Sequence, residues 1–211
     1  MRIITGMAVL ALTAGMAGAQ GFELLGGAKL EYKYKEEGGS SNAYLSGYIE
    51  GELAGFYAGV WGQVASDDLL DETNLYVGYR NEIASGLSYD IGYTRYYYPS
   101  DGGECCGEYT LGLAMPVGPV EGSLDLAHDP QSNLNSAYLG AAWAASDALE
   151  LSGEFGIYGT EATGSETEWD LGVTYALGQT TAVDFRYYDG SEYADSHFGL
   201  ALTWDSSLLS R

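Results

Sequence analysis

Along most of the chain apolar and polar residues alternate with a period of two, the pattern of strands that present one apolar face. Leu30, Tyr32 and Tyr34 alternate with Lys29, Glu31, Lys33 and Lys35. Leu45, Ile49 and Leu53 alternate with Tyr44, Ser46, Tyr48, Glu50 and Glu52, and Phe56, Ala58 and Val60 with Tyr57, Gly59, Trp61 and Gln63. The rhythm returns at 74–80, 87–94, 109–113, 120–126, 137–143, 149–158, 168–175, 183–188 and 198–204, giving twelve strands in all. Each is close to the roughly nine to eleven residues that a tilted strand needs to cross a bilayer.

The connections alternate as well. Tight ones at 54–55, 84–86, 116–119, 145–148 and 178–180 take turns with longer, acidic ones at 36–42, 66–72, 99–107, 129–135, 159–166 and 189–195. Short turns on one side and long loops on the other is the organisation of outer-membrane barrels. The expected fold is therefore all-β, an antiparallel transmembrane barrel of about twelve strands with short periplasmic turns and longer acidic extracellular loops. A soluble β-sandwich or lipocalin-like barrel also alternates, but it points its apolar face inward and its charges outward. Here the apolar faces begin or end in aromatic residues such as Tyr79, Tyr93, Tyr109, Trp143, Trp169, Tyr175, Tyr187, Phe198 and Trp204. Those residues suit the two interfacial girdles of a barrel whose apolar side meets lipid.

Residues 1–19 read as an export signal: Arg2, an apolar run over 3–16, then Ala17-Gly18-Ala19 in the small-x-small form that signal peptidase cuts. Residues 20–211 form a single barrel domain in this reading, exported to the outer membrane. Its partners are then membrane lipid and lipopolysaccharide, the barrel-assembly machinery, and small solutes or cations. The formal net charge of -22, with only eight Lys or Arg, excludes nucleic acid as a partner, because phosphates need basic contacts.

Several segments carry a family resemblance. Gly55-Phe56-Tyr57-Ala58-Gly59-Val60-Trp61-Gly62, Leu75-Tyr76-Val77-Gly78-Tyr79, Gly86-Leu87-Ser88-Tyr89-Asp90-Ile91-Gly92-Tyr93 and Tyr96-Tyr97-Tyr98-Pro99 together resemble the TorF-type porins of proteobacterial outer membranes, the Gcw_chp family. The resemblance implies a porin and supplies no site residues. The family's usual Tyr-Arg-Phe-Arg-Gly run stands here as Tyr32-Lys33-Tyr34-Lys35-Glu36, and the chain ends in Arg211 after Trp204 rather than in an aromatic residue.

Catalytic chemistry finds little support. The two histidines are His128 and His197, and Ser132 and Asn133 lie near His128 in a connection that nothing in the sequence fixes. No enzyme, cofactor or metal site is expected. The acidic residues Asp67, Asp68, Asp71 and Glu72 lack EF-hand spacing and read as a solvated loop. Cys105-Cys106 leaves three readings open: a vicinal disulfide, an intermolecular bridge or two thiols.

Strand parity assigns Lys29, Lys33, Lys35, Tyr48, Glu50, Tyr57, Trp61, Arg80, Glu82, Asp90, Tyr96, Glu121, Asp125, Glu154, Asp170, Asp184 and Arg186 to the lumen. Asp184 and Arg186, two apart on one face, form a bracing pair in this reading. Tyr and Trp side chains narrow the bore, and the acidic lining favours cations. The expected function is passive diffusion of small solutes with cation preference. The alternatives are a non-conducting structural or adhesive barrel and, further off, an outer-membrane hydrolase.

Overall fold

The structure is a computed structural model and describes residues 21–35, 41–66, 71–83, 86–161, 163–191 and 196–211. Twelve antiparallel strands follow one another around a closed barrel, in which each strand pairs with its neighbours in sequence and β1 pairs with β12. The strands are β1 (Phe22–Lys35), β2 (Asn42–Leu53), β3 (Phe56–Ala65), β4 (Glu72–Glu82), β5 (Ser88–Tyr98), β6 (Gly103–Val117), β7 (Val120–Asp129), β8 (Leu134–Ala144), β9 (Leu149–Thr160), β10 (Gly164–Ala176), β11 (Thr181–Gly190) and β12 (His197–Ser210). Closure removes both sheet edges, so each strand's backbone donors and acceptors meet those of a neighbour, as a lipid surrounding demands.

The exterior is the apolar face. Leu30, Leu45, Ile49, Val60, Val77, Ile91, Leu139, Leu171, Phe185 and Leu200 are all exposed. No helix among the described residues is long and apolar enough to span a membrane; the exposed apolar belt lies on the strands. Outward aromatic rings cluster at both ends of the belt. Toward the tight turns Tyr79 lies between Phe56 and Tyr89, with centroids at 4.7 and 6.1 Å. Toward the opposite end Tyr93 meets Tyr109 at 5.1 Å, and Tyr187 meets Trp169 at 5.6 Å and Phe198 at 5.0 Å. An amphipathic ring at each end of an apolar band is what two membrane interfaces select.

Turn chemistry explains the tight connections. Ala54 and Gly55 both take positive φ, 52° and 85°, in a two-residue hairpin whose twist matches the flanking strands. Gly118 takes φ 67° ahead of Pro119, which joins β6 to β7 by the turn with glycine first.

Three features differ from the sequence reading. The strands run on into several expected loops, so β5–β6, β7–β8 and β9–β10 are joined only by 99–102, 130–133 and 161–163. The difference in connection length between the two ends is correspondingly smaller. Residues 103–107 lie in β6, which places Cys105 and Cys106 in the barrel wall instead of in a loop. The segment after Trp204 continues β12: Asp205 pairs with Gly27, Ser207 with Leu25 and Ser210 with Glu23, across a register shift at Leu24/Leu25. Ser and Leu in that segment gave too weak an alternation to reveal the extension.

Candidate functional site: the barrel interior

The interior face is set by the two-residue period of each strand, and the ladder register decides which interior side chains meet. The residues assigned to it separate into groups.

On β4, Arg80 reaches over β3 to β2. Its guanidinium contacts Glu50, lies 3.4 Å (Nε) from Glu52 Oε2, and has its Cζ 4.0 Å above the Tyr57 ring. Tyr57 donates to Asp90 on β5 at 2.6 Å, and Tyr48 donates to Asp205 on β12 at 3.0 Å. Glu50 is only 3 % exposed, so its charge depends on the guanidinium beside it.

On β11, Arg186 contacts Asp170 on β10, lies 3.1 Å from Asp184 Oδ2, and donates to Ser152 on β9 at 2.9 Å. Thr174 completes the set by donating to Asp184 at 2.8 Å. The pairing of Asp184 with Arg186 read from the sequence is present, and Asp170 joins it. On β1, Lys29 lies 3.0 Å from Glu31, while Lys33 sits over the Tyr188 and Tyr44 rings at 4.8 and 5.5 Å. Lys35 occupies β1 opposite His197, and its side chain lies outside the described residues. Trp61 is half-buried on β3, and Glu82 and Glu121 stand exposed beside the tight turns.

Near the opposite end Tyr96 donates to the buried Glu108 at 2.8 Å. Between Arg95 and Arg186 the chain contains no Lys or Arg, so β6 through β10 contribute no cation of those types. On that wall Asp125 and Glu154 form no ion pair among the described residues. Their neighbours on the interior face of β8 are Ser136, Tyr138, Gly140, Ala142 and Ala144, all uncharged.

Three interior contacts follow one rule of register. Tyr138, Gly156 and Glu168 stand in one row across β8, β9 and β10, and the tyrosine passes over the glycine to donate to Glu168 at 2.9 Å. Arg186, Gly172 and Ser152 form a second such row across β11, β10 and β9. Tyr76, Gly59 and Glu50 form a third, in which the tyrosine hydrogen-bonds the carboxylate across the glycine. These side chains spend their length along the circumference. Parity had suggested that tyrosines narrow the bore, and in these rows they lie against the wall.

Sequence reasoning left out Glu31, Glu52, Tyr76, Glu108, Tyr138, Glu168, Tyr188 and Asp205. Each lies on the face opposite the apolar residues of its strand, and that was the available signal. Asp205 was missed because the last strand was cut at Trp204.

The histidine and serine considered for catalysis are apart in their bonding. His128 Nδ1 pairs with Asn135 at 3.0 Å, whereas Ser132 donates to Asp129 at 2.6 Å. Cys106 is disulfide-bonded, which removes the two-thiol reading; the neighbouring Cys105 side chain lies outside the described residues. Asp67 and Asp68 also lie outside them, while Asp71 caps the Ala65 amide at 2.9 Å and Glu72 accepts from Asn74 at 2.7 Å. No group of three or more His, Cys, Asp or Glu among the described residues is arranged to hold a metal ion.

A closed twelve-strand wall with an apolar exterior and a charged interior defines a porin-like β-barrel. The chain belongs to the Gcw_chp family, described as a bacterial protein of unknown function, whose model matches residues 31–208. No curated protein sequence matches it. Among solved structures it is similar to the KdgM porin, with a TM-score of 0.66 and 11% identity over 84% of this chain and 98% of that one. It is also similar to the NanC porin, at 0.64 and 11% over 86% and 100%. The outer membrane protein Omp33 of Acinetobacter baumannii matches at 0.51 and 11% over 89% and 99%. At such identities the likeness concerns the fold.

Proposed function

We propose that the barrel is an outer-membrane channel of the TorF type for passive diffusion of small solutes, and that it prefers cations. Residues 1–19 direct its export in this reading, and lipopolysaccharide, membrane lipid and the assembly machinery are its surroundings.

The observation that carries the proposal is the wall from β6 to β9, which presents Asp125 and Glu154 without any Lys or Arg. Unneutralised carboxylates in a confined channel raise the local cation concentration and repel anions. One of the similar structures is the KdgM porin in complex with disordered oligogalacturonate, a polyanion. The acidic wall here opposes such a solute.

The test is single-channel recording of the purified barrel in planar bilayers under a salt gradient. We expect discrete conductance with a reversal potential on the cation side. An anion-side reversal potential overturns the selectivity, and a folded barrel without conductance overturns the channel.

A further inference from the structure

We propose that Gly156 and Gly172 set the bore of the channel, and with it the size limit of the solutes it passes. The inference rests on the channel reading above and adds the positions that fix its width.

Each glycine is the middle member of an in-register row, with a long donor on one neighbouring strand and its acceptor on the other. A Cβ built at Gly156 overlaps the Tyr138 ring and stands 3.2 Å from its Cζ, with no other atom among its three nearest. The three atoms nearest a Cβ built at Gly172 all belong to the Arg186 guanidinium, with Nε at 2.8 Å. Gly59 differs, because a Cβ there also comes within 2.7 Å of the Ile49 carbonyl oxygen, which belongs to the wall itself.

At Gly156 and Gly172 the nearest obstacle to an added methyl is therefore the side chain that lies over it, and moving that side chain relieves the overlap. Behind that side chain is continuous hydrogen-bonded sheet, so the displacement is inward. The lifted Tyr138 also loses its geometry toward Glu168, which held it along the wall. Glycine at these two positions thus lets a ring and a guanidinium lie flat, and any larger residue stands them into the lumen.

The experiment uses the full barrel in planar bilayers, with conductance and the polyethylene glycol exclusion limit as readouts. Gly156→Ala is expected to lower conductance roughly twofold or more and to admit only smaller polymers, since bore and lining control permeation. Tyr138→Ala in the same chain is expected to restore both. Gly122→Ala is the control, because a Cβ there meets Val117 at an ordinary 3.8 Å on the outward face.

Conductance and exclusion limit unchanged in Gly156→Ala overturn the inference. If the variant does not fold, folding of the double variant Gly156→Ala/Tyr138→Ala supports it and failure of both overturns it. If the unaltered barrel does not conduct, the channel reading fails separately. Urea unfolding in vesicles then tests the seating of Tyr138 over Gly156 itself: Gly156→Ala must lower the midpoint with Tyr138 present and leave it unchanged in Tyr138→Ala. An equal shift in both backgrounds overturns the inference.

Discussion

The two sides of the barrel interior use the same acidic residues to opposite ends. From β11 through β1 to β4 every described interior cation stands among carboxylates or over tyrosine rings: Arg186 with Asp170 and Asp184, Lys29 with Glu31, Lys33 over Tyr188, Arg80 with Glu50 and Glu52. On the wall from β6 to β9 no Lys or Arg exists, and Asp125 and Glu154 flank the uncharged interior residues of β8, with Asp170 of β10 opposite Glu154. A carboxylate beside a guanidinium has its field cancelled within a few ångströms and acts as a brace. A carboxylate facing water with no counter-charge projects its field into the lumen. The comparison teaches that net charge alone is a poor guide to which part of the interior carries an unpaired field.

The largest effect expected from this division is on folding. Arg186→Ala removes the cation shared by Asp170 and Asp184, leaving two carboxylates without the guanidinium that pairs with both, and only the Thr174 hydroxyl still donating to Asp184. Breaking a buried pair this way costs about 3–5 kcal/mol. The side chains here keep 18% exposure, so a loss of about 2 kcal/mol is the expectation, with screening by lumen water accounting for the reduction. The double change Asp125→Asn/Glu154→Gln is expected to stay within about 0.5 kcal/mol, because it disturbs no pair. Urea unfolding in lipid vesicles measures both. Equal costs would erase the distinction between bracing and bare walls.

How far this was legible from the sequence differs between fold and site. The strand count and the inward set follow from period two, and Leu30, Tyr32 and Tyr34 on β1 already separate from Lys29, Glu31 and Lys33. What period two cannot supply is which inward residues meet. Arg80 reaches Glu50 across the intervening strand with its guanidinium over the Tyr57 ring, and that contact spans thirty residues of sequence. Strand ends were also hidden. Glycine and serine near residues 103–107 and 205–210 imitate loop composition, whereas the neighbouring strands extend far enough to pair with them. The bare wall was visible in the chain as the stretch without Lys or Arg between Arg95 and Arg186, yet its meaning depends on closure, which places β6–β9 side by side.

A smaller effect, read in selectivity, sharpens the same contrast. Asp125→Asn/Glu154→Gln is expected to lower the cation-to-anion permeability ratio about threefold, a change of under about 1 kcal/mol in ion energetics, while leaving the bore unchanged. Reversal potentials under a fixed salt gradient provide the ratio. An unchanged ratio would move the selectivity away from this wall, and the proposal that these carboxylates carry it would fall.

The smallest effect concerns Arg80, where geometry can be altered at constant charge. Arg80→Lys keeps the positive charge near Glu50 but loses the planar fork that also reaches Glu52 and stacks over Tyr57. A compact ammonium on a flexible stem cannot make all three contacts, and the expected loss of stability is about 1 kcal/mol or less. The local charge sum is unchanged, so the reversal potential should match that of the unaltered barrel. If the lysine variant instead shifts selectivity as far as the loss of Asp125 and Glu154 does, the braced side also shapes the field that solutes meet. The interior would then be one electrostatic surface, with Arg80 setting part of the selectivity by the direction of its guanidinium as well as bracing β2 against β4.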